Sequence, residues 1–238
     1  MRHAVATLHS KTQLGPDPRF VEQLVTGLES KVAGFNGQDF SNTLWALATL
    51  SGDQHSHSRF IQTWVEEAES RLSDLNAQQL SNSLWALATL HGDQHSHNSF
   101  IQAWVKEAVS RLSHFNPQHL SNSVWALAIL CGDQHSHNHF IQACVREGQC
   151  RLSGFNRLNL SNSLWALAKL GHTDCSFTAR LLQAARAQLP VLNALDVSNT
   201  ALALGMLQYQ DPDFMRQLVQ QAKTRLPDMT AQQLANTL

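Results

Sequence analysis

Cysteine is scarce and unpaired in this chain: Cys131, Cys144, Cys150 and Cys175 show no C-x-x-C or other paired spacing. Reduced packing thiols are the expectation, which suits an intracellular or organellar compartment. An excess of one charge sign is lacking too. Formal net charge is −1, so no global basic field advertises nucleic-acid binding, and only a local basic stripe could serve that purpose. There is no charge run or low-complexity tract to suggest disorder. No apolar run approaches the ~18 residues of a membrane span, so no membrane partner is expected. Met1 to Leu14 lack the apolar core of a signal peptide and the Arg- and Ser-rich character of a transit peptide. No G-x-S-x-G, P-loop, H-E-x-x-H or paired-carboxylate arrangement occurs. An enzyme is therefore not expected, and no catalytic residue, metal or cofactor is assigned.

What the chain does have is repetition. Ser81-Asn82-Ser83-Leu84-Trp85-Ala86-Leu87-Ala88 returns as Ser41 to Ala48, Ser121 to Ala128 and Ser161 to Ala168, with only Thr43 and Val124 differing. Its asparagine recurs as Asn42, Asn82, Asn122 and Asn162 at a spacing of 40, then as Asn199 and Asn236 at 37. Self-similarity at such a period marks a stack of units, each needing its neighbours to bury an apolar face. The expected fold is all-α, a right-handed α-solenoid of helical hairpins in one array over 1–238. A partial unit, 1–35, precedes units 36–75, 76–115, 116–155, 156–192 and 193–229, and a partial unit, 230–238, follows. Both ends break off within a unit, so the chain reads as a segment of a longer array.

Each repeat predicts two helices. Helix A starts from a cap six residues before the asparagine: Asn36, Asn76, Asn116, Asn156, Asn193 and Thr230. Three residues on stand Asp39, Gln79, His119, Asn159, Asp196 and Gln233, most of them able to close a capping box. Pro117 sits at a first helical position, where a missing N–H costs nothing. Gly52, Gly92, Gly132 and Gly171 mark the ends. Helix B carries Phe100, Ile101, Trp104, Val105, Ala108 and Leu112 on one stripe, its phenylalanine recurring as Phe20, Phe60, Phe140, Phe177 and Phe214. Helix A is apolar on most of its circumference, which predicts that it is sandwiched between B helices of its own and adjacent repeats.

Four sets of side chains are candidates for chemistry. Asparagine is a poor helix former, about 0.5–0.7 kcal/mol worse than alanine, yet every repeat keeps it one turn into helix A. It serves either as a structural ladder or as a row touching an extended polymer once per repeat, with Ser83, Ser123 and Ser163 beside it. Asp39, Gln79, His119, Asn159 and Asp196 lie one turn earlier and can hydrogen-bond a base edge, although capping explains them nearly as well. Lys31, Arg71, Arg111 and Arg151 end successive B helices, with Gln188 the exception. They either track phosphates or answer the helix dipole. Trp45, Trp85, Trp125 and Trp165 on A could stack bases as aromatics do in single-strand binders, but they read, with Trp64 and Trp104 on B, as core aromatics. The pairs His55/His57, His95/His97 and His135/His137 belong to a duplicated loop and read as no metal site.

The string Gln79-Leu80-Ser81-Asn82-Ser83-Leu84-Trp85-Ala86-Leu87-Ala88 resembles the signature of octotricopeptide-repeat proteins, and the likeness covers essentially the whole chain. Similar helical repeats occur in FAST-kinase-domain proteins and in the RNA-editing substrate-binding complex of kinetoplastid mitochondria. The resemblance implies a single-stranded RNA binder of a chloroplast or mitochondrion, acting in RNA stability, processing or translation beside other proteins of an organellar RNA complex. On that reading Asn42, Asn82, Asn122, Asn162 and Asn199 contact bases. Asp39, Gln79, His119, Asn159 and Asp196 tune which base, and Lys31, Arg71, Arg111 and Arg151 hold phosphates. The 40-residue units exceed the length the family name denotes. The RAP domain that often ends such proteins is not among these residues, so nothing argues for nuclease activity. A peptide-binding scaffold of armadillo-like type is the alternative, since such proteins also clamp an extended chain with an inner asparagine row.

Overall fold

The computed structural model describes residues 17–50, 57–90, 97–131, 137–172 and 175–237. Among these residues all regular structure is helical: twelve α-helices and six short 3-10 turns. The B helices are α1 (Pro18–Glu29), α3 (Ser58–Glu69), α5 (Asn98–Ser110), α7 (Asn138–Arg151), α9 (Cys175–Ala187) and α11 (Pro212–Arg225). They alternate with the A helices α2 (Gly37–Leu50), α4 (Ala77–Thr89), α6 (Pro117–Leu130), α8 (Arg157–Lys169), α10 (Ala194–Met206) and the short α12 (Ala231–Thr237). A 3-10 turn follows each B helix, from Val32–Gly34 through Leu72–Asp74, Leu112–His114, Leu152–Gly154 and Leu189–Val191 to Leu226–Asp228. None of the helices is long and apolar enough to cross a membrane.

Local signals account for the helix starts. The cap and the third helical residue bond reciprocally in every A helix, from Asn36 with Asp39 to Thr230 with Gln233. The four between them are also complete capping boxes, including those closed by His119 and Asn159. Each cap contributes about 1 kcal/mol. Pro117 occupies the first turn of α6. At the end of α8, Gly171 takes φ +65, a conformation glycine adopts without a Cβ penalty; Gly52, Gly92 and Gly132 lie outside the described residues.

The chain divides into two compact lobes, Met1–Arg111 and Leu112–Leu238, a boundary that falls inside the repeat 76–115. In the first lobe α2 lies beside α4, while α1, α3 and α5 form a second row. In the second, α6, α8, α10 and α12 run side by side, and α8 and α10 also pack on the following B helices, α9 and α11. The A helices therefore pack chiefly against one another, which corrects the expectation that B helices sandwich them. The reason is side-chain size. Ser81, Ser83, Ala86 and Ala88 of α4 are all buried, and such small residues let neighbouring helix backbones approach closely.

The first lobe's core is a chain of edge-to-face rings. Phe35 meets Phe40 at 5.5 Å, Phe40 meets Trp64 at 5.7 Å, and Trp64 meets Phe100 at 5.7 Å, each pair adding about 0.5–1.5 kcal/mol beyond area burial. The Trp64 indole donates to the Phe40 carbonyl at 3.1 Å and that of Trp104 to the Leu80 carbonyl at 3.0 Å. In the second lobe Cys144 holds that register, and a cavity of about 10 Å³ lies beside it, lined also by Leu120, Ser163 and Phe177. Burial raises the Cys144 thiol well above its ordinary pKa, which makes it an inert packing group.

Candidate nucleic-acid interface

Four positions in each A helix share one stripe, and all of them but Asn162 are at least partly exposed. In α4 these are Gln78, Asn82, Trp85 and Thr89, spaced i, i+4, i+7 and i+11. The stripe recurs as Gln38, Asn42, Trp45 and Thr49 in α2, and as Gln118, Asn122, Trp125 and Ile129 in α6. In α8 it reads Leu158, Asn162, Trp165 and Lys169, and in α10 Leu195, Asn199, Leu202 and Met206. Lys169 carries the stripe's only charge among these five helices. The face offers amides and indoles.

The asparagines are not equivalent. Asn42, Asn82 and Asn122 are half-buried and make no side-chain hydrogen bond to a described residue. Asn162 is buried and accepts from the Asn199 amide at 3.3 Å, so in this pair a ladder runs side chain to side chain between neighbouring helices. The serines that follow are withdrawn. Ser83 and Ser123 are fully buried with no hydrogen-bond partner, and Ser163 is buried as well. In that register Thr200 turns its hydroxyl back to the Asp196 carbonyl at 2.7 Å. No polymer can touch this row while the A helices stay packed.

The third helical positions form a graded series. Asp39 is exposed, and Gln79 and His119 are half-buried. Burial lowers the His119 pKa, in keeping with its Nδ1 accepting from the Asn116 backbone N–H at 3.3 Å. Asn159 is buried and donates to Ser121 Oγ at 3.0 Å. Asp196 is fully buried, accepting from the Asn193 N–H at 3.1 Å, from Ser161 Oγ at 3.2 Å and from the Arg157 guanidinium. Asn159 and Asp196 join neighbouring repeats and have almost no surface with which to select a base.

The cationic row has a different role from the one its spacing suggests. Arg71 Nη1 donates to the Ala33 carbonyl at 3.3 Å. Arg111 donates to the carbonyls of Leu75 and Ser73 at 2.5 and 2.6 Å, and Arg151 to those of Phe115 and Ser113. Arg225 Nε reaches the Leu192 carbonyl at 3.0 Å. Each side chain ties its B helix to the 3-10 turn, or the residue just after it, of the preceding repeat, answering carbonyls that the short helix leaves open. Acidic neighbours screen the charge: Glu107 lies 2.6 Å from Arg111, Glu147 lies 2.9 Å from Arg151, and Asp74 lies 3.5 Å from Arg71. Lys31 alone of the four is exposed without such a bond among the described residues.

Of the paired loop histidines, His55, His95 and His135 lie outside the described residues. His57 and His97 are buried, and burial lowers the His137 pKa. No group of three His, Cys, Asp or Glu among the described residues could hold a metal.

The tryptophans divide into two kinds. Trp64 and Trp104 are fully buried, whereas Trp45, Trp85, Trp125 and Trp165 are half-buried on the open stripe. Reading all of them as core missed this second kind. The available signal was the i, i+3 step from each asparagine to its tryptophan, which places both on one helix face. No protein-family model matches this chain, and a search of curated proteins finds no significant relative.

Proposed function

We propose that the chain is a right-handed α-solenoid of hairpin repeats that binds single-stranded RNA along the A-helix stripe, one base per repeat. Its setting would be a chloroplast or mitochondrial RNA complex acting in RNA stability, processing or translation. The observation that carries this reading is the recurrence, once per repeat and buried only at Asn162, of an amide on a nearly uncharged helix face. An amide matches a donor and an acceptor on a base edge together, and helical-repeat readers use two or three side chains per base. Asn42, Asn82 and Asn122, whose amides have no partner among the described residues, are the primary contacts, with Asp39, Gln79 and His119 tuning selection beside them. The resemblance to octotricopeptide repeats supplies the organellar setting.

One observation favours a second reading, a peptide-binding scaffold. With the arginine row bonded to carbonyls and acids, the face suits a polymer without phosphates as well as one with them.

The test is fluorescence anisotropy with a labelled, randomised short RNA pool at low and physiological salt. Wild-type binding should weaken only slightly with salt, as for one or two phosphate contacts at a log–log slope of roughly −0.7 each. Asn42→Ala, Asn82→Ala and Asn122→Ala combined, in a protein still folded by circular dichroism, should reduce affinity at least about tenfold, since each lost base contact is worth roughly 1–3 kcal/mol. An absence of binding at low salt, or a triple variant that binds as tightly as wild type, overturns the RNA reading. Capture of an extended peptide with indifference to RNA establishes the second.

A further inference from the structure

The two tryptophan registers meet opposite fates. On the B helices the indole N–H of Trp64 and that of Trp104 are bonded to backbone carbonyls inside the core. On the A helices the indoles of Trp45, Trp85, Trp125 and Trp165 donate to no described residue and keep part of their surface open, each three residues beyond an asparagine. In the second lobe two of these rings are neighbours: the Trp125 and Trp165 centroids lie 6.4 Å apart with the planes tilted by 39°. The Lys169 ammonium sits 5.1 Å over the Trp165 ring, as a cation does over a π face. In α10 the register passes to Leu202, also half-buried, so the aromatic run has a defined edge.

We infer that Trp125 and Trp165 form a stacking platform for bases of single-stranded RNA, with Lys169 leaving the ring to meet the adjoining phosphate. The inference rests on the RNA reading above and names where affinity arises. Every base has a π face, so stacking on indoles is sequence-tolerant, and discrimination falls to the Asn122 amide one turn earlier. A neutral, amide-rich stripe with one mobile ammonium at its aromatic edge suits a ligand whose planar groups alternate with single negative charges. That pattern fits a single-stranded nucleic acid.

Three measurements test it: RNA anisotropy as above, tryptophan emission during the same titration, and binding of an abasic strand of equal length. Trp125→Leu combined with Trp165→Leu installs the residue that α10 already carries in this register. It should weaken binding between roughly fivefold and a hundredfold and reduce the RNA-induced quench, leaving only the part carried by Trp45 and Trp85, while the emission of buried Trp64 and Trp104 stays unquenched. Tyrosine at both positions keeps a stacking face and should retain most of the affinity. The abasic strand should bind weakly to every variant, and Lys169→Gln should flatten the salt slope by about one phosphate contact. RNA binding by the wild type with no loss in the leucine variant, or a tyrosine variant that loses as much as the leucine one, overturns the platform and leaves the RNA reading standing. No RNA binding by the wild type overturns both. A proline-rich peptide that produces the quench when RNA does not assigns the rings to a protein ligand and overturns the platform.

Discussion

Gln188 donates through Nε2 to the Phe155 carbonyl at 3.2 Å, the bond that Arg151 makes to the Phe115 carbonyl one repeat earlier. A neutral amide thus takes the place of a guanidinium, so reach and donor geometry define this register and charge does not. Arg111→Gln should accordingly leave the fold intact and lower stability by about 1 kcal/mol, the difference between a charged and a neutral donor. Arg111→Ala abandons both the Leu75 and the Ser73 carbonyl and should lower stability by about 1–3 kcal/mol. Urea unfolding of both variants measures this. Neither should alter the salt slope of RNA binding, and a slope flattened by a full charge in Arg111→Gln would return the row to phosphate duty.

Acid should weaken the second lobe. Burial holds the His119 pKa below its ordinary value of 6.5, and protonation would remove the lone pair that accepts from Asn116 N–H. The unfolded chain takes up the proton first, as pH falls through about 6.5. Stability present above that pH is therefore lost progressively until the folded pKa is passed. His137 adds in the same direction. His119→Gln, which installs the capping side chain of α4, should be less sensitive between pH 7.5 and 5 in urea melts at matched ionic strength. An unchanged pH profile in that variant would remove His119 from the account.

Gly148 should reject a methyl group even though it lies inside a helix. A Cβ built there would stand 2.7 Å from Phe177 Cζ, and Phe177 is itself buried. The helix-propensity gain of about 1 kcal/mol is opposed by overpacking of about 1–3 kcal/mol. Gly148→Ala should therefore be destabilising by about 1 kcal/mol in thermal melts. Phe177→Leu in the same chain should recover part of that loss, a coupling that a double-mutant cycle isolates.

Arg157 and Asp196 join α8 to α10 through a fully buried carboxylate. Arg157→Ala leaves that carboxylate with only neutral donors and should destabilise the lobe by about 2 kcal/mol. This is less than the 3–5 kcal/mol of a sealed pair, because the Arg157 side chain is 40% exposed. Adding Asp196→Asn should restore much of the loss, since the preceding repeat already uses Asn159 there opposite Ser121. If the double variant proves less stable than Arg157→Ala alone, the charge on Asp196 matters beyond its pairing with Arg157.

Much of the helical plan was legible. Capping signals such as Asn116 with Pro117 and His119 act within one turn, and the stripe from Phe100 to Ala108 is a matter of helical period, so both can be read from neighbours in sequence. The candidate site was legible only in part. The asparagine row stood out because a residue poor in helices persisted, but its spacing could not separate Asn82, which makes no bond among the described residues, from Asn162, bonded to Asn199. Nor could spacing tell that Asp39 is exposed while Asp196 is buried beneath Arg157.

The sequence by itself determined where each A helix begins and which face of each B helix is apolar, because these depend on residues three and four positions apart. Tertiary structure alone decided which repeated side chains remain free. The partners of Arg111, Asn159 and Asp196 in the neighbouring repeat stand 35–39 residues away, at distances that backbone periodicity does not encode. The same packing closed the serine row, bonded most of the cationic row to carbonyls, and left Asn42, Asn82, Asn122 and part of each A-helix indole open to solvent.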